Sequence, residues 1–208
     1  MTPAKRLMDL AFCLLLLVPV APMILAITLL ILLRDGRPVF YLSERMKTAE
    51  QGFTLVKFRT MTVDPGRGGV TGGDKTDQIT RTGRWLRRLR LDELPQIWNV
   101  LRGDISLVGP RPPLRRYVEA APALYREVLA CRPGITGLAT LRFHRHEALL
   151  LAGCRNAEET DRVYRRRCVP RKAQLDLIYR KNRNVCFDFL ILVQTFCAVL
   201  PRIRPKST

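Results

Sequence analysis

From Leu10 to Leu33 the chain carries no charged residue, and that stretch limits what the rest can be. At about 1.5 Å of helical rise per residue it reaches about 36 Å, enough to cross a hydrocarbon core of about 30 Å. A cleaved signal peptide fits poorly, because the apolar run is too long and no small-residue cleavage pattern precedes Arg34-Asp35-Gly36-Arg37. Pro19 and Pro22 interrupt the run, and each removes a backbone donor and crowds the preceding turn, so a kink is expected there. Lys5 and Arg6 flank one end, Arg34 and Arg37 the other, so the distribution of positive charge sets no orientation. By pattern alone a tilted spanning helix is favoured, and a broken helix that enters and leaves by one face is the alternative.

The remainder is strongly basic. A formal net charge of +18 over 208 residues suits polyanionic partners: nucleic acid, anionic lipid head groups or phosphorylated substrates. Arginine carries most of that charge, and its planar fork matches phosphate geometry. Cys13, Cys131, Cys154, Cys168, Cys186 and Cys197 form no C-x-x-C pair, which argues against a zinc ribbon. A disulfide framework does not fit a chain of this size, and a reducing, cytosol-facing location does. A second apolar stretch, Phe187 to Leu200, is too short to span and reads as an interfacial or buried helix. The basic run Arg162 to Lys172 and the cluster Arg180-Lys181-Asn182-Arg183 suit anionic head groups.

Two motifs mislead. GGVTGGDKT, Gly68 to Thr76, resembles a phosphate loop, but Asp74 stands where that motif requires lysine. It reads as a flexible loop, a lid over the site at most. His144-Arg145-His146-Glu147 suggests a metal, yet a charged helix surface explains it more simply.

The block RLRLDELPQIWNVLRGDISLVGPRP, Arg88 to Pro112, is different. Asp92 is placed to cap a helix running through Trp98 and Leu101 to Gly103, with Pro95 in its first turn. The helix dipole and Arg87, Arg88 and Arg90 are then expected to keep Asp92 ionised. Glu93 beside it makes a carboxylate pair that, with substrate phosphates, suits Mg²⁺. An aspartate can also attack phosphorus and form an acyl phosphate. A plain helix cap with a solvated Glu93 explains the pair equally well. Lys57 and Arg59 in KFRT fall on one side of an expected strand, and Arg111 and Arg132 sit in the rigid turns GPRPP and RPGITG.

Taken together, RPVFYLSERM, LVKFRTMTVD, ITRTGRWLRRLRLDELPQIWNVLRGDISLVGPRP, RPGITGLA, LDLIYRKN and FDFLILVQT resemble the bacterial sugar transferases, small monotopic polyprenyl-phosphate phosphoglycosyl transferases. The resemblance covers nearly the whole chain. It implies an α-rich α+β fold. Residues 1–36 form a re-entrant, proline-kinked membrane helix, reversing the preference from pattern alone. Residues 37–208 form a cytoplasmic catalytic domain with interfacial amphipathic helices and a small β element. It places the protein at the bacterial inner membrane, with the catalytic domain on the cytoplasmic face. By the same resemblance Asp92 attacks the sugar-bearing phosphate of a UDP-sugar, releases UMP and forms a phosphosugar-aspartyl intermediate. A polyprenyl phosphate, undecaprenyl phosphate in this family, then accepts the phosphosugar and a glycoconjugate is begun.

Within that scheme Glu93 binds Mg²⁺ together with Asp92, Arg87 holds a phosphate, and Lys57, Arg59, Arg111 and Arg132 build the anionic pocket. Membrane lipids are further partners, nucleic acid is not, and a homodimer is left open. Two departures stand out: Gln78 replaces the arginine usual before Ile-Thr-Arg, and TLRFHRHE, Thr140 to Glu147, replaces Gln-Val-x-Gly-Arg. They leave the sugar, the pathway and the role of that segment open. A membrane-anchored basic binding or scaffold protein is the alternative, and it needs neither Asp92 nor Mg²⁺.

Overall fold

The computed structural model describes residues 2–62 and 78–199; the glycine-rich segment expected as a lid lies outside them. Helix α1, Pro3–Arg34, is the one described helix long and apolar enough to cross a membrane. Thr2 caps its start, and the helix continues through both Pro19 and Pro22. Much of its middle is exposed, including Leu14, Leu15, Val18 and Leu25. Its two ends are not. Lys5, Asp9 and Cys13 are buried at one end, Ile27 and Ile31 at the other.

Strands β1, Phe40–Met46, and β2, Gly52–Phe58, form an antiparallel hairpin with Tyr41 opposite Lys57. Helix α2, Arg81–Arg88, follows, capped by Thr80. Then come a 3-10 turn, Leu91–Glu93, and helix α3, Gln96–Arg102. Gly103 ends α3 at φ 82, where a side chain is disfavoured. Strand β3, Ser106–Val108, pairs in parallel with β4, Gly134–Thr136. The crossover between them carries α4, Arg115–Ala120, and α5, Pro122–Val128. Helices α6, Leu138–Ala152, and α7, Ala157–Val163, lead into a π-helical turn, Tyr164–Cys168. Helices α8, Val169–Asn182, and α9, Val185–Val199, complete the fold. The helix-rich architecture with small sheets agrees with the sequence reading.

Three apolar clusters hold these pieces. One joins Cys13 of α1 to Leu55, Val100, Ile105, Val108, Tyr179 and Ile191. A second gathers Met46, Tyr117, Tyr125 and Val128 around Ala173 of α8. The third packs Ile27 and Ile31 against Phe58 and Leu86. The second apolar stretch falls, as far as Val199, within α9, which buries Asp188 and Ile191 and leaves Phe189, Leu190 and Phe196 exposed.

Polar groups on α1 are satisfied by the domain. Lys5 Nζ donates to Asp188 Oδ2. Arg6 donates to the carbonyls of Val100 and Leu101 at 2.6 and 2.8 Å, placing a cation at the negative end of α3. Asp9 accepts from Ser106 Oγ at 2.7 Å. At the far end Arg59 donates to the carbonyls of Asp35 and Gly36, at 2.6 and 2.8 Å.

Candidate active site

The carboxylate pair does not start a helix. Arg90 sits in the left-handed region at φ 59, and this turns Leu91-Asp92-Glu93 into the 3-10 turn ahead of α3. Pro95, φ −62, stands at the N-cap of α3. The left-handed residue is what the sequence concealed: it opens a turn that contains Asp92, whereas a helix N-cap is itself extended. Asp92 is therefore held by the turn, not by a capping hydrogen bond.

Glu93 is clamped. Its Oε1 accepts from Lys57 Nζ at 2.8 Å and from Arg111 Nη2 at 2.7 Å, and its side chain is only 12% exposed. Burial works against its charge, but Arg111 and Lys57 outweigh it and hold the carboxyl well below the usual carboxylate range. Burial pushes Lys57 below the ordinary lysine value, Arg111 adding to the shift and Glu93 opposing it. Asp92 moves the other way. Burial and then Glu93 raise its carboxyl above the ordinary value, with Lys57 and Arg87 pulling it down. Desolvation thus outweighs the cations that surround Asp92. Two adjacent carboxyls are thus driven apart, which commonly marks divided roles.

Three elements fix this geometry. Asn99 is fully buried on α3, where its Oδ1 accepts from Val56 N at 3.0 Å and its Nδ2 donates to Thr54 O at 2.8 Å. It sets the register of Lys57 against Glu93. A polar residue between Ile97 and Val100 was the only sequence signal for it. Arg87 Nε donates to Thr60 Oγ1 at 2.8 Å, and Gly83 lets α2 approach that strand end. A Cβ on Gly83 would lie 2.1 Å from Thr60 O. Arg111 is delivered by the turn after β3, where a Cβ on Gly109 would meet Arg132 O at 2.3 Å.

Lys57, Arg87 and Arg111 therefore converge on Asp92 and Glu93, while Arg59 and Arg132 do not. Arg59 follows the end of β2, and its guanidinium is spent on the carbonyls at the end of α1. Sharing a strand face with Lys57 did not survive the end of the strand. Arg132 lies by the start of α1 instead, where its charged neighbours are Arg6, Asp9 and Asp104. His144 to Glu147 lie on α6 as a helix surface, with His144 Nδ1 donating to Thr140 O and Glu147 paired with Lys172.

Glu93 also borders a groove of about 400 Å³. Its walls are mainly apolar, including Leu16 and Val20 of α1, Ile97, Ile135 and Leu141, with Arg88, Arg90 and His144 as its cationic or titratable groups. The groove thus runs from the middle of α1 to Glu93. Among the described residues no group of three or more His, Cys, Asp or Glu gathers to hold a metal.

A half-buried acid pair flanked by lysine and arginine thus lies next to an apolar groove and a long apolar helix. The chain belongs to the bacterial sugar transferase family, whose model matches residues 1–202. It is 34% identical over 202 residues to the UDP-N-acetylgalactosamine-undecaprenyl-phosphate N-acetylgalactosaminephosphotransferase of Aeromonas hydrophila, covering 94% of this chain and 43% of that one. A sugar transferase of Bacillus subtilis, EpsL, is 38% identical over 200 residues, covering 94% and 87%. The UDP-glucose:undecaprenyl-phosphate glucose-1-phosphate transferase of Caulobacter vibrioides is 34% identical, covering 94% and 69%.

Proposed function

We propose that the protein transfers a phosphosugar from a UDP-sugar to a polyprenyl phosphate, undecaprenyl phosphate by analogy with the names of its relatives, and so starts a glycoconjugate. The observation that carries this is the Asp92–Glu93 pair, with Glu93 clamped by Lys57 and Arg111 and Asp92 left free of such a clamp. An Asp92 oxygen attacks the sugar-bearing phosphorus. The bond between that phosphorus and the bridging oxygen breaks, and UMP leaves with the electron pair. A terminal oxygen of the polyprenyl phosphate then attacks the same phosphorus, releasing the Asp92 carboxylate and forming a polyprenyl diphosphate sugar. Arg87 and Arg111 neutralise phosphate charge, which is the main work in phosphoryl transfer. Asp92 gains reactivity from incomplete solvation, and Glu93 fixes the two cations around it.

The donor set suits Mg²⁺, which takes one or two carboxylates and fills its shell with water and phosphate oxygens. Both cations on Glu93 use Oε1, so Oε2 and Asp92 are the atoms to hold it. Bound there, the ion would neutralise charge on the diphosphate.

The acceptor's prenyl chain is assigned to the apolar groove beside Glu93. Helix α1 is assigned a re-entrant path at the cytoplasmic face of the bacterial inner membrane. Both its ends are held by one domain, through Lys5, Arg6 and Asp9 at the start and through Ile27, Ile31 and the Arg59 contacts at the finish. A crossing helix would carry those ends to opposite sides.

UMP release with undecaprenyl phosphate, Mg²⁺ and a panel of UDP-sugars tests the reading. Turnover with one donor is expected, and without acceptor a phosphosugar adduct on the Asp92 peptide. Release that survives in Asp92→Asn, or silence with every donor, would overturn it.

A further inference from the structure

Two stretches of the sequence are given no role at the carboxylate pair: the segment Thr140 to Glu147 and the basic run Arg162 to Lys172. The fold brings them together. Arg142, His146 and Leu150, four residues apart, form one stripe of α6. Arg167, Arg171 and Leu175, spaced likewise, form a second across the π-helical turn and α8. These six and the buried Phe143 line a groove of about 580 Å³. Beside it the Lys172–Glu147 ion pair, at 3.1 Å, sets the register of the two helices and occupies the nearest carboxylate of α6.

No carboxylate lines this groove. Among the described residues Arg142 and Arg167 make no ion pair, and Arg171 donates only to Gln174, at 3.1 Å. Three guanidiniums therefore share one recess beside the His146 ring, with no carboxylate among the lining residues to offset their mutual repulsion. Arginine forks suit phosphate oxygens. The rest of the lining is apolar, so a fully hydrated ion would leave Phe143, Leu150 and Leu175 without a partner. Exposed Leu149 on α6 and Ile178 on α8 extend the apolar surface nearby.

We propose that this groove binds the phosphodiester head group of an anionic phospholipid, with its arginines on the phosphate and its apolar residues against the start of the acyl chains. Basic pockets between helices at a membrane face take such head groups. The site is separate from the transfer chemistry. Helix α6 turns Thr140, Leu141 and His144 toward the groove beside Glu93, and Arg142 and His146 toward this one. The segment Thr140 to Glu147 thus gains a role in anchoring α6, one wall of the reaction site, to a lipid. The proposal rests on the membrane-surface placement given above.

The test uses the full chain, delipidated in mild detergent. Binding of phosphatidylglycerol, phosphatidylcholine and inorganic phosphate is counted by native mass spectrometry, and flotation on phosphatidylcholine vesicles is scored separately. The variant combines Arg142→Gln, Arg167→Gln and Arg171→Gln. A control of equal charge combines Arg126→Gln, Arg155→Gln and Arg162→Gln, all exposed residues outside the groove. Wild type and control are expected to prefer phosphatidylglycerol over phosphatidylcholine by tenfold or more, with that preference lost in the groove variant and UMP release retained. An undiminished preference in the variant, or inorganic phosphate competing the lipid off at equal concentration, would overturn the lipid site. Failure of wild type to float would instead overturn the membrane placement.

Discussion

Removing the charge of Glu93 should cost stability as well as activity, and the two can be separated. Glu93 and Lys57 are 12% and 15% exposed in their side chains, so their pairing is largely screened from water. Breaking a buried pair by removing one partner costs about 3–5 kcal/mol, because the other charge is left without compensation. Arg111, 34% exposed, retains part of its hydration when Glu93 is lost, so Lys57 bears most of the loss. Glu93→Gln is therefore expected to cost about 3 kcal/mol. Lys57→Met should cost less, about 1.5–3 kcal/mol, since Arg111 still serves Oε1. With both replaced only the partly hydrated Arg111 is left without its carboxylate, so the double variant should fall short of the sum by about 1–3 kcal/mol. Urea unfolding in mild detergent, followed by far-ultraviolet circular dichroism, measures all four corners of the cycle. Additivity within about 0.5 kcal/mol would refute the clamp. UMP release should fall at least 100-fold in the double variant even if its stability recovers, since catalysis needs the charges and folding needs only their balance.

The raised Asp92 carboxyl gives a pH signature: the acid limb of adduct formation should lie above the ordinary aspartate value, and Lys57→Met, removing a cation that lowers it, should move that limb further up. An unmoved limb would separate Asp92 from the titration. Asp176, buried on α8 with its Oδ1 unpartnered, is pushed up to about 7 by burial, against Lys172. Its folded value exceeds its unfolded one, so stability is full below about pH 4 and is lost as pH rises toward 7, a fall of up to about 4 kcal/mol. Asp176→Asn should flatten that slope and raise the melting temperature at pH 8; equal slopes in both proteins would contradict this. Gly83→Ala places a Cβ 2.1 Å from Thr60 O, so α2 must shift and carry Arg87 with it. A loss of about 100-fold in turnover is expected, and unchanged turnover would show that Arg87 needs no such precision.

By itself the sequence settled what depends on local chemistry. The charge-free run fixed one long apolar helix, because no other element hides so many backbone groups from lipid. The resemblance carried by DELPQ and its flanks named the family that the chain belongs to. Glycine ended α3 where the pattern placed it, because only glycine enters that backbone region cheaply.

The tertiary structure decided which cations serve that pair. Lys57 and Arg59 stand two residues apart, yet one meets Glu93 and the other the end of α1, because β2 stops between them. Arg111 and Arg132 occupy similar turns but lie beside different carboxylates. Asp92 and Glu93 are neighbours in sequence with opposite shifts, because desolvation and ion pairing act through space. Asn99, Thr60 and Asp9 gave little or no local sign of their roles, since each acts by filling a hydrogen bond that exists only once distant elements have packed.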